Sequence, residues 1–138
     1  MELKKINYFT EKEETAINLL AELGFRKTDA KVLVFLIAKR EAAMNEIERG
    51  TDLRQSEVSI ATAYLSEKKW LSCYVVARGS VPGRPVKIFR LVKPVLEIVA
   101  SIEEEKKAEI RAVLQKVSKL EHLVHECSPP TPVKKNGW

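Results

Sequence analysis

The sequence predicts a mainly α-helical domain carrying one small β-hairpin and continued by a long C-terminal helix. Three observations lead there. Helix start and stop signals recur from Thr10 onward. Two β-prone runs flank a stretch that crowds Gly79, Pro82, Gly83 and Pro85 together, in a chain with only 5 Gly and 6 Pro. Pro94 opens a last helical segment that Ser128-Pro129-Pro130 closes. At 138 residues, 45% apolar and 31% charged, the chain suits one soluble domain with a real core.

Each element has its own signal. Thr10-Glu11-Lys12-Glu13 has capping-box spacing, Ile17, Leu20 and Leu23 recur at three-residue steps, and Gly24 supplies a left-handed stop, which predicts a helix over 11–23. Thr28 is positioned to cap a second helix reaching Arg40, whose apolar run Val32 to Ala38 goes almost all the way round and so belongs at the centre of a domain. A short third helix fits Asn45 to Arg49, with Asn45 and Glu48 at capping-box spacing, Ile47 as inward anchor and Gly50 at its end. A fourth follows over 55–69, with Val58, Ala61, Leu65 and Tyr64 facing in, and Gln55, Ser56, Ser59, Ile60, Thr62 and Ala63 facing out. A short helix, a tight turn and a longer helix with a mostly polar outer face is helix-turn-helix spacing.

Trp70 to Ala77 and Val86 to Leu91 then read as two strands of an antiparallel hairpin joined by the Gly/Pro-rich segment, a wing after the helix-turn-helix. In the last helix Leu96, Val99 and Ile102 are expected on the chain's own core. Beyond them Ile110, Val113, Val117, Leu120, Val124 and Cys127 alternate three- and four-residue steps, the rhythm of a coiled-coil seam. With no domain to cover it, that stripe calls for a partner, and a homodimer through this helix is expected. Glu103-Glu104-Glu105-Lys106-Lys107 fits a solvated face with i,i+3 and i,i+4 pairs. The expected organisation is a DNA-binding domain over 1–93, a dimerisation helix over 94–127 and a disordered tail over 128–138.

Charge is unevenly spread. The net +5 is carried by residues 54–93, where Arg54, Lys68, Lys69, Arg78, Arg84, Lys87, Arg90 and Lys93 face only Glu57 and Glu67; the segments on either side are near neutral. A local basic excess of this kind is an electrostatic footprint for phosphates.

Leu53-Arg54-Gln55-Ser56-Glu57-Val58-Ser59-Ile60-Ala61-Thr62-Ala63-Tyr64-Leu65-Ser66-Glu67-Lys68 resembles the recognition-helix segment of MarR/TrmB-type winged-helix regulators. Leu23-Gly24-Phe25 with Asp29-Ala30-Lys31-Val32 resembles the opening of the TrmB-like domain, and Gly83-Arg84-Pro85-Val86-Lys87-Ile88-Phe89-Arg90-Leu91 its wing and return strand. The likeness spans roughly residues 16–93, and short archaeal regulators with a C-terminal dimer helix fit it best. Three positions depart from the pattern: Arg54 where a Ser or Pro often starts the helix, Ile60 where an Arg is frequent, and Lys69 in place of the usual Gly. The resemblance implies a transcriptional regulator that binds double-stranded DNA.

Groove geometry gives the residues their expected roles. A major groove about 12 Å wide admits one helix, whose N-terminal half meets base edges; Arg54, Gln55, Ser56, Ser59, Ile60, Thr62 and Ala63 are the candidates there. Arg84, on a thin Gly-Arg-Pro tip, suits a minor groove, and Arg78, Lys87 and Lys68 suit phosphates. The alternative reading is a winged-helix module that binds protein within transcription or chromosome machinery, which an exposed Ile60 would favour.

No membrane span of about 20 apolar residues and no signal region occur, so a cytoplasmic protein is expected. Cys73 and Cys127 form no Cys-x-x-Cys pair. His122 and His125, with Cys127, have some metal-ligand character, but surface histidines are the simpler reading and no cofactor is expected; Cys127 could pack as a small hydrophobe or pair between chains. Phosphate-binding loops, zinc-protease and serine-nucleophile motifs are all missing, so an enzyme is not expected.

Overall fold

The computed structural model describes residues 8–77 and 85–129. Its elements run α1 (Glu11–Glu22), α2 (Lys27–Lys39), β1 (Glu41–Ala43), α3 (Met44–Thr51), α4 (Gln55–Glu67), β2 (Leu71–Val76), β3 (Val86–Leu91) and α5 (Val95–Cys127). The chain divides between Val95 and Leu96 into two compact units.

α1 begins and ends on local chemistry. The Glu13 N–H donates to Thr10 Oγ1 (3.1 Å) and the Thr10 N–H to Glu13 Oε1 (2.9 Å), closing the expected capping box. At its other end the Gly24 N–H reaches the Ala21 carbonyl and the Phe25 N–H the Leu20 carbonyl, both at 3.0 Å, with Gly24 at φ 106°. This is a Schellman stop, and it turns Phe25 into the core. α2 starts at Lys27, not after Thr28: Arg26 holds the N-cap position without a side-chain cap, and its Nε donates to Asp29 Oδ2 at 2.9 Å. A carboxylate in the first turn of a helix is also favoured by the exposed N–H groups there.

α2 is the centre of the first unit, packed by α1, α3 and α4. Ala30, Val32, Leu33, Val34 and Leu36 are buried, and Ile47, Val58, Ala61, Leu65 and Trp70 close around them. Each fully buried large aliphatic contributes about 1.5–3 kcal/mol. Phe25 stacks on Trp70 (centroids 6.1 Å apart) and meets Tyr64 edge-on at 6.2 Å.

The sheet has three strands, one more than the expected hairpin. Its order is β1-β3-β2, with both pairings antiparallel. β2 and β3 pair from Leu71↔Leu91 to Val76↔Val86. Arg40, at φ 75°, ends α2 and turns the chain so that Glu41, Ala42 and Ala43 align with Arg90, Phe89 and Ile88.

α3 starts at Met44, one residue before Asn45, and the acid that closes its start is Glu46, not Glu48: Glu46 Oε1 accepts the Ala43 N–H at 2.7 Å. Gly50 does not end this helix. It lies inside it, and a Cβ there would overlap the Phe35 ring, so a glycine lets α3 approach α2. The stop is Asp52, left-handed at φ 57°.

α5 is 33 residues long. Its buried residues are Ile98 and Ile102; Leu96 and Val99, expected inside, stand 82% and 55% exposed. Both spacings are helical, and Val95-Leu96-Glu97-Ile98-Val99 is apolar on several sides, so spacing alone leaves the phase undetermined. Further along, Lys106–Glu109 (2.9 Å) and Lys107–Glu103 (3.6 Å) form the expected pairs. From Ile110 to Cys127 every residue is exposed. The part of the expected disordered tail beyond Pro129 lies outside the described residues.

Candidate nucleic-acid interface

Asp52 and the extended Arg54 (φ −79°, ψ 158°) make the turn between α3 and α4. Glu57 Oε1 accepts the Arg54 N–H at 2.9 Å and fixes where α4 starts. Because Val58, Ala61 and Leu65 are drawn inward, the opposite face goes to water: Gln55, Ser56, Ser59, Ile60 and Ala63 are exposed, Ile60 at 54%, and Arg54 borders them just before the helix. Five of the six α4 residues expected to face out therefore do so.

Thr62 is the exception. It is buried at 2%, and its hydroxyl donates back to the Val58 carbonyl (2.9 Å) and the Ser59 carbonyl (3.1 Å). A threonine can satisfy its hydroxyl on the preceding turn and so occupy an inward position that polarity alone assigns to the surface. Thr62 is not part of the exposed face.

The hairpin comes back to this face. Met44, Asn45 and Glu48 of α3, Gln55 and Ser59 of α4, and Pro85, Val86 and Lys87 at the start of β3 together line one open groove of about 420 Å³. The first turns of α4 and the base of the wing are thus on a common side of the unit. Arg78 and Arg84, the expected tip cations, lie outside the described residues. Sequence reasoning missed the α3 contribution: Asn45 and Glu48 read as capping residues, and their place in the groove follows only from how α3 crosses α4.

The basic block divides. Arg54 and Lys87 have no ion-pair partner among the described residues and border the exposed face. Arg90 Nε stands 3.9 Å from Glu41 Oε1, which also accepts the Tyr74 hydroxyl at 3.1 Å. Desolvation first, then the hydrogen bond to Glu41 and its charge, raise the Tyr74 phenol above its ordinary value, against a smaller lowering by Arg90. The Lys68 ammonium sits 5.3 Å from both the Tyr64 and Trp70 ring centroids. It is at the far end of α4, roughly 20 Å from Gln55 by helix rise, and contributes to the aromatic cluster, not to the groove.

Among the described residues no group of His, Cys, Asp and Glu could hold a metal ion, and no helix is long and apolar enough to cross a membrane.

A short helix and a turn leading into α4, which exposes a mostly polar face beside a β-hairpin, make a winged helix-turn-helix. In fold the chain is similar to a Methanosarcina mazei Go1 protein described as a possible transcriptional regulator, with TM-score 0.60 and 16% identity over 73% of this chain and 83% of that one. It is also similar to TrmBL2, an archaeal chromatin protein reported to show a novel mode of DNA binding, with TM-score 0.58 and 19% identity over 91% of this chain and 46% of that one. A further transcriptional regulator gives TM-score 0.51 and 17% identity over 86% of this chain and 76% of that one. No protein-family model and no curated protein matches the sequence. The chain has the winged helix-turn-helix fold of the regulators whose motifs its sequence resembles.

Proposed function

We propose that this protein is a DNA-binding transcriptional regulator that acts as a homodimer. The N-terminal half of α4 enters the major groove, the wing over 78–87 lies on the adjacent minor groove, and the distal half of α5 joins two copies. The observation that carries the reading is the groove shared by Gln55, Ser59, Pro85 and Lys87: a helix start and a wing base that emerge together can contact one duplex face at once. Gln55 has the donor and acceptor needed for a bidentate bond to adenine, and Ile60 or Ala63 an apolar contact for a thymine methyl. Arg84, between Gly83 and Pro85 in the sequence, is a cation of the kind that suits a narrow minor groove. The fold likeness to regulators and to an archaeal chromatin protein supports the same reading.

Titration of a labelled random duplex at two salt concentrations tests it. The expected result is binding that weakens with salt, by about 0.9 in log K per log salt for each phosphate neutralised. Selected duplexes should then lose affinity with Gln55→Ala or Ser59→Ala and keep it with Thr62→Val, and Arg84→Ala should cost most at A·T-flanked sites. Absent or salt-insensitive binding overturns the proposal and favours the second reading, a protein-binding winged helix, for which the exposed Ile60 speaks.

A further inference from the structure

The distal half of α5 carries enough pattern to say how a second copy would lie on it. The inference rests on the dimer proposed above. From Ile110 to Cys127, about 26 Å of helix by rise, the apolar residues stand bare: Ile110, Val113, Leu114, Val117, Leu120 and Val124 are 53–60% exposed. With Ile110, Val117 and Val124 at the first core position of the heptad, Val113, Leu120 and Cys127 fall at the second. The first position is β-branched throughout, which suits a two-stranded pairing, while the second holds leucine only at Leu120.

The charges agree. Glu103, Lys106, Lys107 and Glu109 pair within their own helix at i,i+3 and i,i+4. Lys116 and Glu121, in the bare segment, have no ion-pair partner among the described residues and are five residues apart, a spacing that one helix cannot bring together. In the heptad they take the two positions that flank the core. Between parallel helices in register, those two positions face each other across the seam, so Lys116 of each copy meets Glu121 of the other. An antiparallel pair that aligns Ile110 with Cys127 of the other chain sets Lys116 beside Leu123 and Glu121 beside Leu114, with no opposite charge in reach.

We infer that α5 pairs with a second copy of itself, parallel and in register over Ile110 to Cys127, so that the two Lys116–Glu121 pairs close the seam and the two Cys127 side chains meet in its last layer.

Disulfide mapping on the full chain tests the orientation. With Cys73→Ser in the background, glutathione disulfide is the oxidant: two Cys127 thiols become one disulfide while one glutathione disulfide becomes two glutathiones. The expected result is a covalent dimer on non-reducing electrophoresis, with a Cys127–Cys127 peptide in the digest and none with Cys127→Ser. Adding Ile110→Cys should yield two kinds of link, one joining the two introduced thiols to each other and one joining Cys127 to Cys127. Links between chains that join an introduced thiol to Cys127, or a dimer in sedimentation that gives no Cys127 link, overturn the parallel arrangement while leaving the dimer intact. A monomer in sedimentation overturns dimer and orientation together, and leaves DNA binding to be judged by the duplex titration. Lys116→Glu should loosen the dimer about tenfold through two pairs, and adding Glu121→Lys should restore it; no change in either variant also overturns the register.

Discussion

Two helices of this chain carry the same residue types and end in opposite surroundings. In α2, Val32, Leu33, Val34 and Leu36 are buried; in α5, Val113, Val117, Leu120 and Val124 are 53–60% exposed. Hydrophobicity does not separate them. What separates them is their packing: α2 has α1, α3 and α4 around it, and the distal half of α5 is exposed along its length. The sequence anticipates this through the width of the apolar surface. An almost all-round run needs several neighbours, whereas a single stripe needs one.

The sharpest way to break that comparison is to truncate one leucine on each side. Leu36→Ala should cost about 2–5 kcal/mol, because the surrounding side chains cannot collapse fully into the space. Leu120→Ala should leave the melting of a dilute sample unchanged and lower the melting temperature only where concentration favours association. Thermal melts of both variants over a wide range of concentration decide it. A Leu36→Ala protein that melts like the wild type would remove α2 from the core.

Gly50 gives a smaller effect in which two contributions compete. In an open helix Gly→Ala is favourable by about 1 kcal/mol. Here the added Cβ meets the Phe35 ring, and overpacking of this kind costs about 1–3 kcal/mol. Gly50→Ala is therefore expected to destabilise, seen as a lower urea midpoint, and Phe35→Leu in the same chain to recover part of the loss. A gain in stability from Gly50→Ala alone would mean that α3 moves away from α2 at little cost.

Much of the fold was legible because its signals are local. The Thr10–Glu13 box, the Gly24 stop and the paired strands over 71–76 and 86–91 all depend on residues close in sequence or on β-prone runs set apart by turn residues. What was not legible depends on distant neighbours. β1 is three residues, two of them alanine, and exists because β3 offers an edge beside it. Thr62 is inside because its hydroxyl finds a carbonyl one turn back. Ile98 is buried where Leu96 and Val99 were expected, because a helix start that is apolar on several sides leaves its phase undetermined by spacing. Of the candidate site, the exposed face of α4 was readable by subtraction, since its inward stripe is unambiguous. The α3 side of the groove was not, because the crossing of two helices is a tertiary property.

The smallest effect concerns a stop the chain makes twice. At the end of α1 the Schellman bonds close around Gly24. At the end of α4 the same pair recurs, Lys69 N–H to the Ser66 carbonyl at 2.9 Å and Trp70 N–H to the Leu65 carbonyl at 3.2 Å, around a lysine at φ 67°. A side chain in that conformation costs about 1–2 kcal/mol, and here the cost is offset by the burial of Trp70 and Leu65, which the motif brings together. Lys69→Gly should remove the strain and, after the larger entropy that glycine loses on folding, stabilise by about 0.5–1 kcal/mol. Lys69→Ala keeps the Cβ and should give no gain, so a matched rise in urea midpoint for both variants would trace the effect to the lysine charge and not to the backbone. If Lys69→Gly lowers the midpoint, the left-handed turn is not where the strain resides.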